Sequence, residues 1–279
     1  MTTDIKPKKL TDRKLLIINP NSSKSMTEGL QTLLSTISDS SQVQISFYTA
    51  QLPSPPSINN EEDAILSTQV VLSDLTSTLD QYDAFLVACY SVHPLVTELK
   101  KRVRPNVHVT GIFEASVMMS LGLLTQGNGK RLGDNEGDRE GFGIVSTGKY
   151  WEEVLGAGVR DFLGTKMGEN CERFKGVETT GLTAGELHSV DSEIVSTKMK
   201  EAVKRLVGKR DCSIVCLGCA GMAGMDDMVR EALVEELGSE DANRVYIVDG
   251  VKAGVVYLEA NLKALPNGSG QRTVTPQNR

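Results

Sequence analysis

Short apolar runs of strand length alternate along the chain with longer segments in which apolar residues recur every three or four positions. The short runs predict β-strands, and the longer segments predict helices that bury one face. Strands are predicted at 15–18, 43–47, 82–88, 107–111, 143–145, 212–218 and 245–248. Helical stripes begin near residues 26, 64, 95, 115, 151, 194, 225 and 253. This alternation is typical of βαβ units, so the sequence predicts an α/β fold with parallel sheets.

The same order of elements occurs twice in the chain. Each half runs strand, polar turn, helix, other elements, strand, cysteine and helix. Asn19 lies 70 positions before Cys89, and Thr147 lies 72 positions before Cys219. We interpret this as a duplication that gives two pseudo-symmetric lobes, each a mainly parallel sheet flanked by helices, with the active site in the cleft between them. The predicted first lobe is 14–110, completed by 245–265, and the second is 111–244.

Three polar segments, at 1–13, 126–141 and 266–279, carry no strand or helix periodicity. The middle one is rich in glycine and charge, a composition that cannot bury a core. All three are predicted to be flexible, and 126–141 is expected to lie far from the chemistry.

The composition of the chain argues against several classes of function. The chain has 279 residues, a net charge of −6, no basic patch and no apolar run of membrane-spanning length. Nucleic-acid and membrane binding are therefore not expected. The first ten residues hold no apolar signal core, so we expect a cytoplasmic protein with reduced cysteines. The three histidines are far apart and no Cys-x-x-Cys pair occurs, so no metal site is expected. A small-molecule substrate is expected. A homo-oligomer is possible, and the sequence does not decide the oligomeric state.

Two cysteines stand where chemistry is expected. Cys89 and Cys219 each follow a strand and precede a helical pattern. Ligands gather at the carboxyl ends of strands in open α/β sheets, and helix N-termini lower a thiol's pKa. A pair of thiols suits the removal of a proton from one face of a carbon and the return of a proton to the other. Cys171, Cys212 and Cys216 lack this setting and are interpreted as structural.

An enolate formed in such a reaction needs hydrogen-bond donors. Backbone N–H groups just after each cysteine are candidates, and polar side chains in the turns of both lobes could bind an amide or carboxylate. The predicted substrate-binding residues are Asn19, Tyr90, Ser91, Ser146, Thr147, Ala220 and Gly221. The alternative roles are a turn former for Asn19 and a helix cap for Ser146 and Thr147.

Two further residues are ambiguous. His93 could be a third acid or base or a substrate donor, or it could belong to a helix cap before Pro94. Glu114 follows a strand and could reach the cleft, or it could cap the helix predicted at 115.

Several segments together resemble the aspartate/glutamate/hydantoin racemase superfamily, in its branch of hydantoin and allantoin racemases and their fungal relatives. They are Ile-Ile-Asn-Pro-Asn-Ser (17–22), Val-Thr-Gly-Ile-Phe-Glu-Ala (109–115), Gly-Ile-Val-Ser-Thr (143–147), Leu-Gly-Cys-Ala-Gly-Met (217–222) and Val-Asp-Gly-Val (248–251). The resemblance covers about 14–265. It implies an isomerase of nitrogen metabolism that uses Cys89 and Cys219 as two bases, without pyridoxal phosphate or metal, on a hydantoin- or allantoin-like substrate.

Other functions stay open. Aspartate and glutamate racemases of the superfamily carry Asn-Thr after the first cysteine and Thr-His after the second. This chain has Tyr90-Ser91 and Ala220-Gly221, which favours a ring amide over a charged α-carboxylate. Bacterial hydantoin racemases are expected to carry an acidic residue shortly after the first cysteine, where this chain has Tyr-Ser-Val-His-Pro (90–94). A decarboxylase or maleate isomerase on the same fold would be a second rival, and a non-catalytic metabolite-binding protein a third.

Overall fold

Eight strands form two sheets of four parallel strands in the described part of the chain. The computed structural model describes residues 9–38, 41–124, 141–166, 169 and 171–265. The first sheet contains β1 (Lys14–Asn19), β2 (Gln44–Thr49), β3 (Ala84–Val87) and β4 (His108–Gly111). The second contains β5 (Gly141–Ser146), β6 (Phe174–Thr179), β7 (Cys212–Leu217) and β8 (Tyr246–Asp249).

The two sheets share one topology. Their strand orders are β2-β1-β3-β4 and β6-β5-β7-β8, so corresponding strands occupy corresponding places. The prediction of two similar parallel α/β lobes is therefore confirmed. Strand β6 was not predicted. Gly176 of this strand has a φ of +112°. The pairing of β6 with β5 also shifts register between Phe142 and Ile144 of β5, so β6 lacks the regular alternation of inward and outward side chains that marks a strand in the sequence.

Helices connect the strands and cover the sheets. They are α1 (Lys24–Ser38), α2 (Glu61–Leu75), α3 (Pro94–Arg102), α4 (Ile112–Leu123), α5 (Tyr150–Leu163), α6 (Ser192–Val207), α7 (Asp226–Leu237), the short α8 (Ser239–Ala242) and α9 (Gly250–Ala264). Polar side chains satisfy the first N–H groups of several helices. Asp249, for example, accepts hydrogen bonds from the N–H groups of Val251 (2.7 Å) and Lys252 (3.1 Å) and so begins α9.

The last strand and the last helix belong to different lobes. Strand β8 pairs with β7 in the second sheet, whereas α9 packs against β3 and β4 of the first. The expectation that all of 245–265 completes the first lobe is thus corrected: only the helix does. The close approach of α9 to the first sheet depends on Gly254, where any side chain would collide with Leu86.

One apolar core joins the lobes. It contains buried side chains of both sheets together with those of α4 and α9, which lie between them. The outer faces of the sheets have separate cores, formed with α2 and α3 in the first lobe and with α6 and α7 in the second. A shared core of this kind fixes how the two carboxyl-terminal edges face each other.

The predicted flexible segments are described only in part. Residues 9–13 are ordered: Leu10–Asp12 form a 3-10 turn, and buried Arg13 pairs with Asp83 at 3.0 Å. Of 126–141, only Gly141 is described, as the first residue of β5, and 266–279 lies outside the described residues. No helix in the described ranges is both long and apolar enough to cross a membrane.

Candidate active site

Cys89 and Cys219 follow the third strand of each sheet. The strand ends are fixed by pairing, since Val87 lies opposite Ile18 in the first sheet and Leu217 opposite Val145 in the second. Ladder hydrogen bonds continue one residue further, from Ala88 N to Ile18 O (2.8 Å) and from Gly218 N to Val145 O (2.7 Å). Both cysteines therefore emerge at carboxyl-terminal sheet edges, where α/β proteins bind ligands.

The two thiols interact electrostatically. The pKa of Cys89 is raised to about 12, mainly by burial and to a smaller extent by the charges of Cys219 and Glu114. Burial also raises the pKa of Cys219, to about 11. The charge state of Cys219 thus affects the ionisation of Cys89, as expected for two thiols that act together.

The surroundings of the two sulfurs differ. Cys219 begins a 3-10 turn in which the Gly221 N–H donates to Sγ at 3.3 Å, and the Gly221 and Met222 amides both lower the thiol pKa. Cys89 has one such partner, the Ser91 hydroxyl at 3.4 Å, whereas the charge of Glu114 raises its pKa. Cys219 is therefore the better place for a thiolate.

Some of the backbone N–H groups that follow the two cysteines already donate hydrogen bonds within the protein. Gly221 N–H is used by Cys219 Sγ, and Ser91 N–H donates to Cys89 O at 3.1 Å. The Tyr90 and Ala220 amides have no acceptor among the described residues. Of the amides predicted as enolate donors, these two are available.

The Tyr90 side chain faces the core rather than the cleft. Its hydroxyl donates to Ser116 Oγ at 2.6 Å, since the Ser116 hydroxyl itself donates to Phe113 O. Only 4% of Tyr90 is exposed, and its ring packs edge-on against Phe113. One helical turn further along α4, Ser120 Oγ lies 3.1 Å from Cys216 Sγ in β7. Tyr90 thus anchors the Cys89 turn to the contact between the lobes.

Asn19 shapes the turn after β1. Its amide nitrogen donates to Ser23 O and Thr27 Oγ1, both at 3.0 Å, and its oxygen accepts from Asn21 N at 3.2 Å. The side chain is buried and its hydrogen-bonding groups are engaged within the protein. The geometry supports the turn-forming alternative.

Ser146 and Thr147 have different roles at the end of β5. The Ser146 hydroxyl donates to Gly218 O at 2.7 Å and so fixes the residue before Cys219. The Thr147 hydroxyl makes no protein hydrogen bond within the described residues and is free to bind a substrate. Neither residue caps α5, which begins after Lys149.

His93 begins α3 and faces α2. Its Nδ1 accepts from Leu95 N at 3.2 Å, and its Nε2 lies 3.2 Å from Ser67 Oγ, whose own proton goes to Ala64 O. These partners assign the neutral tautomer with the proton on Nε2. Burial lowers the pKa of His93 to about 4. The capping alternative fits this geometry, and the acid–base role does not.

Glu114 lies near Cys89 with an unsatisfied oxygen. The residue sits in the first turn of α4, after Gly111, and its Oε2 is buried without a hydrogen-bond partner among the described residues. Burial raises the pKa of Glu114, while its charge acts on both Cys89 and Tyr90. Helix α4 begins three residues earlier than predicted, which makes Gly111 its N-cap and Glu114 its third residue. Backbone N–H groups of Gly111 and Glu114 act on the Glu114 carboxyl and lower its pKa, as in a capping box. The geometry therefore supports the capping alternative.

His188 lies near the second thiol but was not predicted as a site residue. A Cβ built on Gly221 would lie 3.2 Å from His188 Nε2 and 3.5 Å from Cys219 Sγ, so the imidazole borders the second thiol. No periodicity or motif marks His188, because long-range packing alone brings its segment to the Cys219 turn. Within the described ranges, no cluster of three or more His, Cys, Asp or Glu side chains could hold a metal ion.

The sequence as a whole matches a known family model, that of Asp/Glu/hydantoin racemase, over residues 15–258. The chain belongs to this family. The resemblance predicted from short motifs is thereby confirmed, and the family assigns the chain to the racemases, a class of isomerase.

Relatives agree with this assignment. An uncharacterized protein of Schizosaccharomyces pombe is 32% identical over 88% of this chain and 90% of its own length. A hydantoin racemase of a Pseudomonas species is 27% identical over 88% of this chain and 84% of its own. An allantoin racemase structure from Pseudomonas fluorescens has the same fold, with a TM-score of 0.72, 21% identity and coverage of 95% of this chain and 98% of that one.

Proposed function

We propose that this family member is a cofactor-independent racemase that inverts the carbon beside a carbonyl in a hydantoin- or allantoin-like ring. The observation that carries the proposal is the placement of the two cysteines after corresponding strands, β3 and β7, of the duplicated sheets. The similarity to a hydantoin racemase along most of the chain supports the substrate class.

The proposed reaction has two proton transfers. The Cys219 thiolate takes the proton from the stereogenic carbon, and the C–H electron pair moves onto the carbonyl oxygen to form an enolate. The free Tyr90 and Ala220 amides are the available donors for this oxygen. The Cys89 thiol then gives its proton to the opposite face. The reverse direction exchanges the two roles.

The electrostatics favour a neutral substrate. The buried cation of the described residues, Arg13, pairs with Asp83 at the amino-terminal end of the first sheet, away from the thiols. Near Cys89 lies the acidic side chain of Glu114, which in its charged form would repel an α-carboxylate. The N–H groups of a cyclic ureide would not be repelled by this carboxyl. These features favour a ring amide over aspartate or glutamate.

A substrate panel tests the proposal. We expect loss of optical rotation with allantoin or a 5-substituted hydantoin and none with aspartate or glutamate. Cys89→Ser and Cys219→Ser should each abolish racemisation, because an alcohol is a far weaker base than a thiol at neutral pH. In deuterated water each variant should still exchange the hydrogen of one enantiomer, with opposite preferences.

Cys171→Ser is the matched control, since Cys171 is another free cysteine and lies outside the site. It should keep wild-type activity, and chelators should have no effect. Exchange of both enantiomers by either site variant would contradict the two-thiol mechanism. Tight binding of these compounds without any hydrogen exchange would instead indicate a metabolite-binding protein.

A further inference from the structure

An exposed imidazole lies beside the largely buried Cys219 thiol. His188 Nε2 and Cys219 Sγ flank the position that a Cβ on Gly221 would occupy, at 3.2 Å and 3.5 Å from it. His188 ends the 3-10 turn Glu186–His188 and is open to solvent. Because residue 221 has no side chain, nothing of its own fills this position. The imidazole is thus near the thiol and is itself open to solvent.

A two-thiol racemase needs such a connection. After one turnover that begins with a Cys219 thiolate, Cys219 holds a proton and Cys89 has lost one. Another turnover in the same direction requires that Cys219 release its proton and that Cys89 regain one. Burial raises the pKa of Cys219, so loss of its proton is slow near neutral pH unless a nearby base carries the proton away.

We propose that His188 carries the proton between Cys219 and solvent, an inference that rests on the proposed function. The Cys219 S–H bond breaks, its electron pair stays on sulfur, and Nε2 of the neutral imidazole takes the proton. The imidazolium then releases its Nδ1 proton to water, and proton exchange with solvent returns the ring to the Nδ1–H tautomer before the next turnover. Nothing is oxidised or reduced, and Cys89 recovers its proton from water in the cleft. His188 is a relay and does not touch the substrate carbon.

The geometry limits this role to the Cys219 side. The hydrogen-bond partner of Cys89 is the Ser91 hydroxyl, which is 5% exposed and does not ionise in the working pH range, and the acidic group that acts on this thiol, Glu114, is itself largely buried. The histidine nearest to Cys89 along the chain, His93, uses both ring nitrogens within the first lobe. His188 is thus the imidazole that borders a site thiol in the described structure.

Comparison of single and multiple turnovers tests the relay. In His188→Ala and His188→Gln we expect a single turnover at excess enzyme to stay within about twofold of wild type, since the thiols act directly. Steady-state kcat should fall by about tenfold or more, the scale of a lost proton-transfer group. Added imidazole should restore His188→Ala. The substrate is the allantoin or 5-substituted hydantoin that the wild type racemises fastest.

The control is His108→Gln, a half-buried histidine at the start of β4, whose rates imidazole should not change. Equal losses in single and multiple turnovers would overturn the relay, because they would place His188 at the substrate or in support of the thiol. Unchanged steady-state rates would overturn it as well. A wild type that racemises no compound would overturn the proposed function itself, a result distinct from either.

Discussion

Thiol alkylation as a function of pH tests the electrostatics of the site most directly. Burial raises the pKa of Cys219 to about 11 and that of Cys89 to about 12. At pH 7 the Cys219 thiolate is then present in about one molecule in ten thousand, and each pH unit raises this fraction about tenfold. The Gly221 and Met222 amides lower the pKa of Cys219, whereas the charge of Glu114 raises that of Cys89, so Cys219 ionises more readily than Cys89.

The measurement is the rate of modification by iodoacetamide, followed for each cysteine by peptide mass spectrometry between pH 7 and 9. Cys219 should react before Cys89, and both rates should rise about tenfold per pH unit. The kcat/KM for racemisation should rise in parallel. Cys212, buried and bonded to Ile214 O, is the internal control and should stay unmodified.

The pH range ends at 9 because the fold itself responds to alkali. Buried thiols keep their protons in the folded state, while those of the unfolded chain ionise above about pH 8.5. Stability is therefore full below that pH and falls as the pH rises towards the folded values. Rates that do not change with pH, or faster modification of Cys89, would refute the assignment of Cys219 as the more readily ionised thiol.

Three further predictions concern the fold around the site. Tyr90→Phe should lower the free energy of unfolding by about 1 kcal/mol in urea titrations while kcat changes little, and a large loss of kcat would show that the hydroxyl reaches the substrate. Asp83→Ala should cost about 3–5 kcal/mol because it leaves Arg13 buried without its carboxylate; a loss under 1 kcal/mol by the same titration would contradict this. The lowered pKa of His93, about 4 against 6.5, gives stability that is full above pH 6.5 and is lost towards pH 4, by up to about 3 kcal/mol. His93→Gln should show a correspondingly weaker acid dependence, and an unchanged one would contradict the assignment.

Local pattern in the sequence was enough for the architecture and for the position of the two thiols. Strands and helices follow from short-range periodicity, and parallel strands in a βαβ chain place their carboxyl ends at one edge. The duplication was readable because both halves repeat the same order, and the two sheets indeed share one strand order. Cys89 and Cys219 could therefore be placed at strand ends, and the family motifs added what such thiols do in known racemases.

Tertiary structure decided the rest, because those features depend on contacts between residues far apart in the chain. Pairing with β7 assigns β8 to the second sheet, although α9 packs on the first. Contacts with distant helices direct the Tyr90 side chain to Ser116 of α4 and the His93 side chain to Ser67 of α2. The position of His188 beside Cys219 has no counterpart in local sequence, since only the packing of one turn against another brings the imidazole to the thiol.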